Sequence, residues 1–273
     1  GSDHMIAPSK MVNIHTENNG IVRGVFGWPA IHTRLRAGIA KEETPKTDNL
    51  FIDVGANDRA GVERLGIQVG DVITYPDELT VLNGDKYVGR ALDNRMGGFM
   101  IAQVARLLRE NEVELPFSLY LVNSVQEEVG LNGAQMISRT IAPDAAIVTD
   151  VTHDTSTPMI DAKVEGDIKC GAGPVISRAP AVQNNLRALI LQAARKNEIP
   201  YQLAAHSRST GTDTDAFAFS GKGIASALIS LPLRYMHTTV EMVAREDVEN
   251  TIRLIYQSLL EIPCGEDFRY IKL

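Results

Sequence analysis

Basic residues are in short supply in this chain of 273 residues, where 27 Lys and Arg face 34 Asp and Glu and leave a formal net charge of −7 at pH 7. Phosphate backbones are bound by clustered cations, so this balance argues against a nucleic acid as partner. Long apolar runs are missing as well. No stretch approaches the roughly 20 consecutive apolar residues that cross a bilayer, and no basic segment leads into an apolar run near the first residue, so neither a membrane partner nor a targeting segment is expected. Cysteine is scarce. Cys170 and Cys264 stand alone, with no partner motif for a disulfide framework or a zinc-thiolate site, which points to reduced thiols in a cytoplasmic protein. What the chain does have is an apolar share of 44%, enough for a proper core in one large domain or two smaller ones.

Up to about residue 87 the pattern is one of short β-type runs rich in Val and Ile: residues 11–16, 21–26, 50–54 and 71–75. Asn18-Asn19-Gly20 is a hairpin-type break between the first two. Residues 58–65 predict one short helix, and the charged stretch 36–48 predicts a solvated loop. From residue 88 onward, strands alternate with amphipathic helices, the pattern of an α/β layer architecture. Met96, Met100, Val104 and Leu107 fall on one helical face; Leu186, Leu189, Ile190 and Ala193 define a second helix, and Val248, Ile252, Ile255 and Leu259 a third. Between them, residues 117–125, 145–148 and 226–231 are short and apolar enough to be strands of a central sheet. A β-rich domain over 1–87 and an α/β domain over 88–273 follow.

Acidic residues fall where those strands end. Glu127 and Glu128 follow the run 117–125, Asp150 follows 145–148, His237 comes shortly after 226–231, and Asp93 sits where Tyr87-Val88-Gly89 gives way to the first strong helix. In open α/β sheets, ligands bind beyond the carboxyl ends of the strands, so these side chains are placed to converge there. Several carboxylates in one crevice repel each other unless cations are present. Carboxylate oxygens with one imidazole suit zinc, cobalt or manganese. The adjacent pair Glu127-Glu128 matters because neighbours in an extended segment point in opposite directions. One carboxylate can then hold a metal while the other takes a proton from the attacking water, a two-metal peptidase layout.

Each residue has a plainer reading when taken alone. Asp93 suits a helix cap, Gln126-Glu127-Glu128 a solvated turn, Asp150 a turn after a strand, and His237 a structural histidine. Gly211-Thr212-Asp213-Thr214-Asp215 reads as a helix start, with capping hydroxyls and carboxylates facing the dipole. His4, His15, His32 and His206 are scattered, while His153, three residues after Asp150, is placed to orient a ligand.

Taken together, Gly89-Arg90-Ala91-Leu92-Asp93-Asn94-Arg95, Val125-Gln126-Glu127-Glu128-Val129-Gly130, Val148-Thr149-Asp150-Val151-Thr152-His153 and Arg234-Tyr235-Met236-His237 resemble the motifs of the glutamyl, leucyl and deblocking aminopeptidases, a family that includes the tetrahedral aminopeptidases. The resemblance extends over Gly24-Val25-Phe26-Gly27, Phe51-Ile52-Asp53-Val54-Gly55 and Thr210-Gly211-Thr212-Asp213, and so covers nearly the whole chain. It implies an α/β fold, a central mixed sheet with helices on both faces, plus a small β-barrel-like inserted domain that drives dimerisation. It also implies two divalent metal ions per subunit, zinc or cobalt, bridged by Asp93. Glu128 and His237 would complete one site, Asp150 would belong to the other, and Glu127 would be the general base. Peptides would be the substrates, and homo-oligomers, dimers building a dodecamer, the assembled state.

The family carries one further metal-binding His in an early segment that precedes the inserted domain. This sequence begins inside or just before the insertion, so the resemblance leads to the expectation that an upstream part is absent and that the site containing Asp150 is short of a ligand. Two other functions stay in view: a glycoside hydrolase, for which paired carboxylates are the usual tools, and a catalytically silent assembly protein.

Overall fold

The computed structural model of the chain describes residues 3–36 and 45–270. Gly1, Ser2 and most of the expected loop over 36–48 lie outside the described residues. Contacts divide the chain into a unit of Gly1–Leu79 with His237–Val240 and a unit of Thr80–Met236 with Glu241–Leu273.

The first unit contains β1 (Met11–Thr16), β2 (Gly20–Phe26), α1 (Ile31–Arg36), β3 (Ile52–Asp53), α2 (Arg59–Arg64) and β4 (Val72–Thr74). The strands form one antiparallel sheet in the order β3-β2-β1-β4. β1 buries Val12, Ile14 and Thr16 and turns the residues between them outward, as a strand with one covered face does. The hairpin between β1 and β2 is tied by Thr16, whose Oγ donates to the Gly20 carbonyl at 2.9 Å and accepts from the Asn19 amide at 3.1 Å. Asp58 caps α2 by accepting from the Gly61 amide at 2.7 Å. A barrel needs a closing pair between the end strands, and among the described residues β3 and β4 do not pair.

The second unit runs β5 (Thr80–Leu82), β6 (Lys86–Gly89), α3 (Leu92–Glu110), α4 (Asn132–Ile141), β7 (Ala145–His153), α5 (Ala162–Glu165), β8 (Val175–Arg178), α6 (Asn184–Lys196), β9 (Gln202–Ala205), α7 (Asp213–Ala218), β10 (Ala225–Leu233), β11 (Glu241–Ala244) and α8 (Arg245–Glu261). Its central sheet has the order β7-β10-β8-β9 and is mixed: β10 runs parallel to β7 and antiparallel to β8, and β8 runs parallel to β9. A smaller antiparallel sheet, β11-β6-β5, lies in the same unit.

Side chains of a strand alternate between faces, and β7 and β10 show that both faces of the central sheet are covered. Ala145, Ile147 and Val151 of β7, with Ala225, Ala227, Ile229, Leu231 and Leu233 of β10, join the main core with α3, α6 and α8. Ala146 and Val148 face a second cluster formed by Ala134 of α4, Phe217 of α7 and Ile224. Every residue of β10 is buried, including Ser226 and Ser230, so the strand lacks the apolar–polar alternation of one with a wet face. The three helices expected from apolar spacing are α3, α6 and α8, and their predicted faces are the ones in the core.

One expected strand is absent. Residues 117–125 form no ladder in the described structure, and Leu119, Tyr120, Leu121 and Val125 of that stretch are exposed. Apolar content alone does not make a strand; backbone partners do.

Candidate metal centre

Four short segments carry the candidate residues; that of Asp150 is regular strand, and the other three follow an unusual backbone path. Ala91, Gln126, Tyr235 and His237 all adopt positive φ, at 53°, 60°, 59° and 63°. Such conformations cost about 1–3 kcal/mol each in non-glycine residues and persist where surrounding contacts dictate them.

Asp93 lies at the start of α3 but does not cap it. Asp93 and Asn94 have non-helical dihedrals, and the peptide between them is cis. The cap is Asn94, whose Oδ1 accepts from the Gly97 amide at 2.8 Å while its Nδ2 donates to the Thr149 carbonyl of β7 at 2.9 Å. Gly97 allows this approach, since a Cβ there would meet Asn94 Oδ1 at 2.5 Å. Capping of α3 therefore falls to Asn94 rather than to Asp93. The Asp93 backbone amide donates to Glu241 Oε2 at 3.1 Å, and Glu241, at the start of β11, is only 2% exposed.

Glu127 and Glu128 lie in a single 3₁₀ turn, Glu127–Val129, rather than at the end of a strand. The segment is therefore not extended, and successive residues of a 3₁₀ turn are set about 120° apart around its axis rather than on opposite sides. Helix α4 holds this turn from behind. The Gly133 amide donates to the Val125 carbonyl at 2.9 Å, Asn132 to Gln126 at 3.2 Å, and Leu131 to Glu127 at 3.0 Å. Position 133 has to be glycine, because a Cβ would sit 2.2 Å from the Val125 oxygen.

His237 is carried by the turn after β10. Arg234 and Met242 close the base of that turn by exchanging backbone bonds of 2.9 and 3.0 Å. Arg234 is in turn anchored to Asp154, whose buried carboxylate takes its Nε at 2.6 Å and also accepts from Ser156 and the Cys170 amide. Burial alone would raise the Asp154 carboxyl, but the bonds from Ser156, Arg234 and Cys170 prevail and hold it down at about 2.

Ligand-type atoms of Asp93, Glu128 and His237 all lie within 4.8 Å of one another, the spacing of a set that can share one cation. Asp150 lies within β7, which runs on to His153 instead of ending at 148 as expected; it is outside that set but belongs to the same electrostatic neighbourhood. Burial raises its carboxyl to about 8 against a 2.8 Å bond from the Val151 amide, and repulsion from Asp93, Glu127 and Asp213 adds to the rise. Carboxylates that depress one another's ionisation in this way suit a bound divalent ion, which removes the repulsion. The residues present therefore fit a metal.

Two acidic residues of this region were not among the predicted site residues: Glu241, a neighbour of Asp93, and Asp213, read as part of a helix start and a neighbour of Asp150. Three of the scattered histidines have hydroxyl partners: His4 with Thr47, His15 with Thr74 and His206 with Ser177.

Residues 1–254 match the family described as M42 glutamyl aminopeptidase. The lysyl aminopeptidase of Pyrococcus furiosus is 35% identical over 240 residues, which is 87% of this chain and 66% of that relative. Among solved structures, the aminopeptidase APDkam598 from the archaeon Desulfurococcus kamchatkensis superposes with a TM-score of 0.84 at 30% identity, covering 94% of this chain and 70% of that one. The TET1 peptidase of Pyrococcus horikoshii, described as able to assemble into a tetrahedron or a large octahedral shell, gives a TM-score of 0.77 at 27% identity over 94% of this chain and 73% of its own. The chain thus spans about two thirds of the length of the relatives it matches.

Proposed function

Because this chain belongs to the M42 glutamyl aminopeptidase family, we propose that it hydrolyses N-terminal residues from peptides with two divalent ions, zinc or cobalt, and Glu127 as the general base. The observation that carries the reading is the meeting of Asp93, Glu128 and His237, which are 35 residues or more apart in sequence, within 4.8 Å. In this reading Asp93, Glu128 and His237 would hold one ion, and Asp150 would belong with Asp93 to the site of the second.

Bound there, divalent ions polarise the scissile carbonyl, lower the pKa of water and stabilise developing negative charge. Glu127 lies outside the three-residue set, and in this reading its carboxylate takes a proton from the attacking water and returns it to the departing amine. Glu241 fixes the backbone of Asp93, and Asn94 ties the same segment to β7. The Asp154–Arg234 pair anchors the strand end from which the His237 turn departs.

Assembly through the 1–87 domain into dimers and then dodecamers, with a cytoplasmic location, completes the proposal. The shell-forming TET1 peptidase supports the assembly, and among the described residues no helix is long and apolar enough to cross a membrane.

The full-length protein should release the chromophore from aminoacyl-nitroanilides when supplied with zinc, cobalt or manganese, and lose that activity on chelation. N-acetylated versions should be inert. Activity on β-glucans that survives chelation would favour a carboxylate-only glycosidase instead, and no turnover of either substrate by the metal-loaded protein would favour the silent assembly protein.

A further inference from the structure

Asp213 is more than the helix start that its setting suggests. The capping of α7 is already done by Thr212, whose hydroxyl accepts from the Thr214 amide at 3.2 Å. The preceding loop is held by Asp215, which takes the amides of Thr210 and Gly211 at 2.9 and 3.0 Å. Asp213 serves neither purpose. It is 8% exposed, its Oδ2 accepts from the Ser124 hydroxyl, and its Oδ1 is fully buried with no hydrogen-bond partner among the described residues. A buried carboxylate oxygen without a partner is destabilising, and burial raises this carboxyl despite the Ser124 bond. Fold stability does not account for it.

What the Ser124 bond reaches is the segment that enters the Glu127 turn. On its far side this turn is pinned by α4, through the amides of Leu131, Asn132 and Gly133. On its near side the side-chain anchor is Ser124, three residues ahead of Glu127 and tied to α7, 89 positions away in sequence. The stretch before Ser124 has no strand ladder to steady it. We propose that Asp213 is a positioning residue: through Ser124 it sets the orientation of the turn that presents Glu127 and Glu128. The proposal rests on Glu127 being the base.

The test compares Asp213→Ala, Asp213→Asn, Ser124→Ala and the double alanine variant in the full-length, metal-loaded protein. Asparagine keeps an acceptor for the Ser124 hydroxyl. Expected is a fall in kcat of about 10- to 100-fold for each alanine variant, since small misplacements of a reacting group cost about that much. KM at saturating metal should stay near the parental value, and the metal concentration needed for half-maximal activity should rise because the same turn carries Glu128. The double variant should be no worse than either single one, and Asp213→Asn should recover most of the rate. Parental kcat in both alanine variants, additive losses in the double, or no recovery with Asn would overturn the proposal. A crystal structure of Ser124→Ala, which leaves α7 intact, reads the same point without turnover: residues 125–128 should shift or lose order, and an unchanged turn counts against Asp213. If the parental protein cleaves no aminoacyl substrate, the peptidase reading fails while this structural result still decides the positioning role.

Discussion

Glu127→Gln is expected to lower kcat by about 10²- to 10⁴-fold, the usual contribution of a positioned base, while leaving the metal content unchanged. Glutamine matches glutamate in shape and cannot accept the proton. Glu127 stands outside the Asp93, Glu128 and His237 set, so its replacement removes no member of that set. Glu128→Gln is the natural control: it should weaken the ion itself and raise the metal concentration needed for half-maximal activity. Turnover of aminoacyl-nitroanilides, measured with metal content on the same samples, separates the two. A Glu127→Gln protein working at the parental rate would show that the base is another residue.

The metal-free protein is expected to lose stability as pH rises from about 4 to about 8. Unfolded, the Asp150 carboxyl releases its proton near the ordinary value of about 4. Folded, burial first and the nearby Asp93, Glu127 and Asp213 charges next hold the proton on up to about 8. Between those limits the folded state binds more protons than the unfolded one, so the slope of stability against pH is negative. The loss is complete above the folded value, and its ceiling is on the order of 5 kcal/mol at ~1.4 kcal/mol per pKa unit. Adding zinc should reverse the trend, because an ion favours the deprotonated carboxylate and binding becomes stronger with pH. Chemical denaturation at several pH values, with and without chelator, reads both slopes. Asp150→Asn should flatten the metal-free curve. A metal-free protein equally stable at pH 5 and pH 8 would remove Asp150 from the electrostatic account.

Residues whose roles are set by local spacing were legible in the sequence. Val12, Ile14 and Thr16 alternate, and β1 spans the expected residues. Met100 and Val104 mark the buried face of α3, as Leu186 and Ile190 mark that of α6. Asp93, Glu128 and His237 were singled out only as a set: each alone reads as a cap, a turn or a structural histidine, and it was their joint placement at element ends, with the motifs around them, that pointed to a metal. Roles created by distant contacts were not legible. Glu241 opens a short strand and looks like a surface charge, yet its partner is the Asp93 amide, 148 positions away. Asp213 was hidden by its own context, since any of several residues in Gly211-Thr212-Asp213-Thr214-Asp215 could cap a helix. The available signal was surplus, with more capping groups than one helix start needs. The run over 117–125 misled in the opposite direction, because its composition suits a strand while, among the described residues, no ladder partner defines one.

The most direct test is diffraction at the zinc absorption edge from crystals of the full-length protein grown with zinc. The account predicts an anomalous peak within bonding distance of one oxygen each from Asp93 and Glu128 and one imidazole nitrogen of His237. Full zinc occupancy elsewhere, with those three side chains uncoordinated, would contradict it.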